Sequence, residues 1–249
     1  MTRAIWRFRL AACCLVLVAL AFVQSPGQVA ADTKLDLTVD PAAFVGRSLH
    51  LWNQHGFFGE LQNQAYGYLW PQGSFFLAGH LAAIPPWVVQ RLWWSLILIV
   101  AFLGIVRLSR LLGLTNPLAR VVAGLAYALS PRVMSTIGPI SSETWEMALA
   151  PWILVPLILG SLGGSERRWV GMSGIAAACA GGINAVATTA SLPAGVWFLI
   201  TRSPSPRRRR LAAWWALAIL LASTWWLLPL VLLGKYSPPF LDWIESGST

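Results

Sequence analysis

Apolar runs close to the length of a bilayer span recur along this chain, and they limit its fold more than any other feature. A hydrocarbon core about 30 Å thick needs about 20 apolar residues in a helix. Residues 5–23, 87–106, 117–134, 145–162 and 211–233 approach or meet that requirement. Residues 170–200 are too long for one span and carry Gly181-Gly182 near their middle. A break around residues 184–191 turns them into a hairpin of two short spans. The expected fold is an all-α polytopic membrane bundle of about seven spans. Composition agrees, because 11% charged residues cannot coat a soluble surface, which normally carries about 25%. A hydrophobic content of 57% excludes a disordered chain. The 15 Trp suit the two membrane interfaces.

Charge orients the bundle. With the N-terminus in the cytoplasm, Arg3, Arg7, Arg9, Arg107, Arg110, Arg120, Arg167, Arg168, Arg202 and residues 207–210 lie inside, with Glu166 as their acid. Asp32, Asp36, Asp40, Glu60, Glu143, Glu146, Asp242 and Glu245 fall outside. This obeys the positive-inside rule. A single span over 170–200 would export Arg207–Arg210, so the broken hairpin is preferred. The first span has a rival identity as a secretory signal, with a small-residue site at Val29-Ala30-Ala31. The arginine run in SPSPRRRR reads most simply as a topology signal facing anionic headgroups. An acidic cytoplasmic partner at the Arg-rich loops is a further expectation; nucleic acid is not.

Several chemistries are excluded by what the sequence lacks. It has no Walker loop, no GxGxxG after a strand, no HExxH and no GxSxG. Cys13, Cys14 and Cys179 lie in apolar runs without CxxC spacing and read as core or lipid-facing residues. His50 and His55 are not accompanied by a third ligand. No metal and no cofactor is expected.

Polar chemistry concentrates in the outside loop 24–86, which is too small for an independent domain. It opens with DTKLDLTVDP at residues 32–41, placing Asp32, Lys34, Asp36 and Asp40 just past the first span. It continues through QNQAYGYLWPQG at residues 62–73. There Gln64, Tyr66, Tyr68, Trp70 and Gln72 alternate amides with aromatic rings. Amides pair with hydroxyls and rings stack on apolar sugar faces, so this stretch is a candidate sugar-binding wall. In the second outside loop, Ser142 is expected to cap the fourth span, with Glu143 and Glu146 in its first turn.

Six blocks carry a family resemblance: DTKLDL at 32–37, FGELQNQAYGYLWPQGSFF at 58–76, WVVQRLWW at 87–94, AGLAYALSPRV at 123–133, SSETWEMALAPWILVP at 141–156 and GGINAVAT at 181–188. In this order they resemble the mycobacterial D-type α-(1→3)-arabinofuranosyltransferases, membrane glycosyltransferases of the GT-C architecture. The resemblance makes residues 1–249 the N-terminal part of a GT-C transmembrane domain. Later spans and periplasmic carbohydrate-binding modules would fall beyond it.

The resemblance also implies a pentosyltransferase of cell-wall arabinan. The donor would be decaprenyl-phosphate arabinofuranose, the acceptor an arabinan chain, and the site periplasmic on the plasma membrane. Asp32 and Asp36 occupy the place where such enzymes carry an acid, and Glu245 is a second candidate. A carboxylate there would take the acceptor's proton. Lys34, Arg91 and His55 are candidate cations for the leaving phosphate. The rival reading is a transporter or assembly subunit with a carbohydrate-facing loop. It is disfavoured because the spans read as nearly free of ionisable groups.

Overall fold

The computed structural model describes residues 3–32, 34–54, 59–61, 65–201 and 203–236. Helix α1 (Arg3–Val23) leads into short helices α2 (Leu35–Val39) and α3 (Pro41–Ser48). A two-residue antiparallel ladder follows, Trp52 opposite Leu61 and Asn53 opposite Glu60. Ala65–Tyr68 form a 3-10 turn, and Leu69–Gly73 an irregular turn broken at the extended Trp70. Then come α4 (Ser74–Leu81), α5 (Pro86–Leu111), α6 (Pro117–Ala128), α7 (Pro131–Thr136) and α8 (Ser141–Leu162). The chain continues through α9 (Glu166–Ala178), α10 (Ala185–Ala190), α11 (Pro193–Thr201) and α12 (Pro206–Tyr236).

Among the described residues, four helices are long and apolar enough to cross a membrane: α1, α5, α8 and α12. The remaining expected spans are short pieces. Residues 117–134 divide at Ser130-Pro131, because the residue before proline is driven out of helical geometry; Ser130 is extended there. Residues 170–200 divide twice. The first break is the Gly181-Gly182 turn, where Gly181 has a φ of +90°. The second lies between α10 and α11. The expected break at 184–191 therefore contains a short helix, α10, capped by Asn184 through the amides of Val186 and Ala187.

Helices α5 and α8 form the buried centre, with α1 and α6 packed on α5 and α9 on α8. Gly104 and Gly124 permit this close approach. A Cβ on Gly104 would sit 2.8 Å from the Trp152 indole nitrogen, and one on Gly124 2.7 Å from the Phe102 ring. One core gathers Trp93, Trp94, Phe102 and Trp145; a second joins Ile153, Leu157, Leu211 and Trp215. Phe8, Val23 and Leu221 stay exposed on α1 and α12, as lipid-facing side chains would. Helix α8, 22 residues long, spans roughly 33 Å. Asp32 meets its N-terminal end, while Arg207 reaches Gly160 at the other. Asp32 and the arginine run thus lie at opposite ends of the bundle.

Candidate active site

Ser141, the first residue of α8, is the hub. Its backbone amide donates to Asp32 Oδ1 at 3.3 Å and its hydroxyl donates to Asp32 Oδ2 at 2.5 Å. The same hydroxyl oxygen accepts from Gln72 Nε2 at 3.1 Å and Trp93 Nε1 at 3.2 Å. A serine hydroxyl has one hydrogen and two lone pairs. Both lone pairs meet donors, so its hydrogen goes to Asp32, which acts as an acceptor, as an ionised carboxylate does. The start of a helix also carries partial positive charge. Asp32 therefore sits where a negative charge is stabilised, half-buried and fixed in direction.

The chain reaches this point on a braced segment. Arg91 is buried on α5 and donates to the carbonyls of Gln24 (3.1 and 2.9 Å) and Gln28 (3.1 Å). It also donates to Gln90 Oε1 at 2.9 Å and lies 4.1 Å from the Trp94 ring centre. Gln90 exchanges two hydrogen bonds of 2.9 Å with the backbone of Ala30. These bonds fasten the exit of α1 two residues before Asp32. Below them, the Trp93 and Trp145 rings stand 4.9 Å apart, and Trp145 Nε1 donates to the Cys179 carbonyl at 2.7 Å.

Beside Ser141 on α8, Glu143 accepts from Asn184 at 2.9 Å and from Arg132 at 3.2 Å. These residues line a cavity of about 440 Å³ with Tyr127, Met147 and Val186. Glu146, one turn on, is fully buried and accepts from Thr188 at 2.7 Å.

The family described as "Alpha-(1->3)-arabinofuranosyltransferase, N-terminal GT-C domain" matches residues 16–249. The chain belongs to this family. A curated alpha-(1->3)-arabinofuranosyltransferase of Mycobacterium tuberculosis is 52% identical over 236 residues, covering 93% of this chain and 17% of the relative. One from Mycolicibacterium smegmatis is 50% identical, covering 92% and 16%. The chain thus spans about a sixth of the length of these relatives. A cryo-EM structure of a mutant arabinofuranosyltransferase AftD from Mycobacteria superposes with a TM-score of 0.90. Its identity is 48%, and the match covers 96% of this chain and 19% of that one. The resemblance to GT-C arabinofuranosyltransferases is therefore borne out, as is the all-α membrane fold.

Within this family member, the residues expected at the site part company. Asp32 stands at the hub. Asp36 is exposed and paired with Arg47 at 2.6 Å, and Asp40 caps α3 through the Ala43 amide. Lys34 precedes α2, half-buried. Arg91, expected on a leaving phosphate, has its guanidinium buried among carbonyls. Of the aromatic residues in the sugar wall, Tyr66 and Tyr68 are buried and Trp70 is exposed. Burial pushes the Tyr66 phenol above its ordinary range. Tyr68 packs its edge against Phe44. Gln72 is buried against Ser141 rather than facing outward. His55, Gln64 and Glu245 lie outside the described residues.

Three of the structure's features differ from the sequence reading. Ser142 does not cap α8; its hydroxyl is buried without a hydrogen-bond partner, and Asp32 receives the first amide instead. Ser141 and Gln90 were not singled out, and Trp93, expected as an apolar wall for the prenyl chain, is buried with its nitrogen on Ser141. The spans are not free of ionisable groups, since Arg91 and Glu146 are buried within α5 and α8. A signal for Gln90 and Arg91 existed, because adjacent polar residues inside an apolar run mark a functional or structural site.

Proposed function

We propose that this chain forms the catalytic end of a membrane arabinofuranosyltransferase. Arabinofuranose moves from decaprenyl phosphate to an arabinan hydroxyl on the periplasmic side. Asp32 is the general base. The acceptor oxygen attacks the anomeric carbon, its proton passes to the Asp32 carboxylate, and the bond from that carbon to the phosphate oxygen breaks. Decaprenyl phosphate leaves with the electron pair. The observation that carries this reading is the pair of hydrogen bonds from Ser141 to Asp32, which aims one carboxylate at the helix end where charge is favoured.

Two further features support it. The cavity lined by Glu143 and its ion-pair partner Arg132 adds an apolar wall of Met147 and Val186 suited to a prenyl chain. Trp70 keeps an exposed ring for stacking on a sugar. Arg91 is a positioning residue in this scheme, not a phosphate ligand.

The test is transfer of arabinose from the lipid donor by the protein expressed from its own gene. Asparagine caps a helix as well as aspartate. Asp32→Asn should thus keep the fold and lose roughly 10²–10⁴-fold in rate. Near-normal transfer by a well-folded variant would remove Asp32 as the base. Orientation is tested separately, by an impermeant thiol reagent on intact cells carrying Ser205→Cys. Residue 205 belongs to the cytoplasmic end, so strong labelling would reverse the arrangement.

A further inference from the structure

At the end of the bundle opposite Asp32, helices α1, α5, α6 and α8 leave a cavity of about 530 Å³. Three arginines line it: Arg107, Arg110 and Arg120. Trp6, Leu103 and Trp152 supply apolar walls, and no acid is among the lining residues. Arg107 and Arg110 are three apart on α5, so their side chains share a face. Both are exposed, and neither pairs with an acid among the described residues. Arg120 is held in place by the carbonyls of Leu114 at 2.6 Å and Thr115 at 2.9 Å. The Trp152 ring is anchored through its nitrogen to the Val100 carbonyl at 2.9 Å.

The other basic cluster at this end behaves differently. Arg207 and Arg210 meet Glu166 at 3.2 and 2.8 Å. Two arginines of that run thus share an acid within the chain, whereas the cavity has no acid in its lining. Complementing the helix dipole accounts for Arg110, in the last turn of α5. It does not account for three guanidinium groups converging on an apolar hollow. Such a hollow fits an amphiphile with an anionic head and hydrocarbon tails. A free phosphate would leave the Trp and Leu walls unused, whereas a bilayer lipid uses both.

We propose that this groove binds an anionic phospholipid. Arg107 and Arg110 hold the phosphate, Arg120 flanks it, and the acyl chains run along Leu103 and Trp152. Basic pockets between membrane helices are suited to such headgroups. The site is separate from the one around Asp32, and its occupancy does not depend on the transferase reading.

The test uses the whole protein in nanodiscs doped with photoreactive phosphatidylglycerol or photoreactive phosphatidylcholine, with crosslinks mapped by mass spectrometry. Phosphatidylglycerol should mark peptides carrying Leu10 and Leu103 and exceed phosphatidylcholine there. Arg107→Gln with Arg110→Gln should lower that labelling on the order of tenfold. The double lysine variant, which keeps both charges, should stay within about twofold of wild type. Equal labelling by the two lipids would overturn the proposal. So would labelling unchanged in the glutamine variant, or lost equally in both variants. Absence of labelling by either lipid would also overturn it, because an acidic protein or another segment of the chain would then cover the groove.

Discussion

The Asp32 carboxylate and Ser141, 109 residues apart in the chain, are joined by two hydrogen bonds, one from the side chain and one from the backbone amide. The segment that follows α1 and the first turn of α8 are thereby joined. Charge is placed by helix geometry, and direction by a hydroxyl whose lone pairs are both taken.

Ser141→Ala should therefore damage the site without touching its acid. It removes one bond to Asp32 and leaves the Gln72 amide and the Trp93 indole without their shared acceptor. Each buried group so stranded costs about 1–3 kcal/mol. The melting temperature should fall, and kcat should fall with little change in KM, because Ser141 acts through Asp32. Ser141→Thr, which restores the hydroxyl, should recover most of both. A kcat unchanged in Ser141→Ala would show that the hydroxyl does not set the carboxylate's position.

Arg91→Lys should not be conservative. The guanidinium reaches two backbone carbonyls and one amide oxygen in one plane while lying over Trp94. An ammonium has no such fork. Hydrogen bonds made by charged groups contribute about 1.5–3 kcal/mol each. The lysine variant should melt lower, and transfer should lose kcat with the donor KM preserved. A rise in donor KM alone would return Arg91 to the phosphate.

The membrane character and the α-helices were legible in the sequence through runs of apolar residues, and one short polar segment pointed to Asp32. The partners of that acid were not. Ser141 and Ser142 look alike in a one-dimensional reading. Which of them meets Asp32 depends on where α8 begins and on a contact across 109 residues. Likewise, alternation of amides and rings over residues 64–72 gave no hint that Tyr66 and Tyr68 turn inward. They do so because Gly67 packs on the backbone of Gly182, where a Cβ would lie 2.6 Å from the carbonyl. Tertiary contact decided the facing, and no local periodicity carries that information.

That glycine contact gives a third prediction. A Cβ on Gly182 would lie 2.2 Å from Trp226, which is buried on α12. Gly182→Ala should push α12 or the turn aside and destabilise by about 1–3 kcal/mol. Gly138→Ala is the control, since its Cβ would meet nothing within 4 Å. Thermal unfolding of the two variants side by side should separate them by several degrees. Equal melting temperatures would show that the turn over Trp226 relaxes without cost.

Acid should weaken the opposite end of the bundle. Hydrogen bonds from Arg210, at 2.9 and 2.8 Å, hold the Glu166 carboxyl below its ordinary range. A carboxyl with a depressed folded pKa contributes stability above its unfolded value, about 4.3. That contribution is lost as pH falls through the lower, folded value. The difference in melting temperature between wild type and Glu166→Gln should thus stay level from pH 7 to about pH 5 and then shrink toward zero in stronger acid. Because Arg207 and Arg210 are exposed, the difference at pH 7 should also shrink in 1 M salt, where the screening length is about 3 Å. A difference that grew on acidification would place the carboxyl above its ordinary range and refute the pairing as its cause.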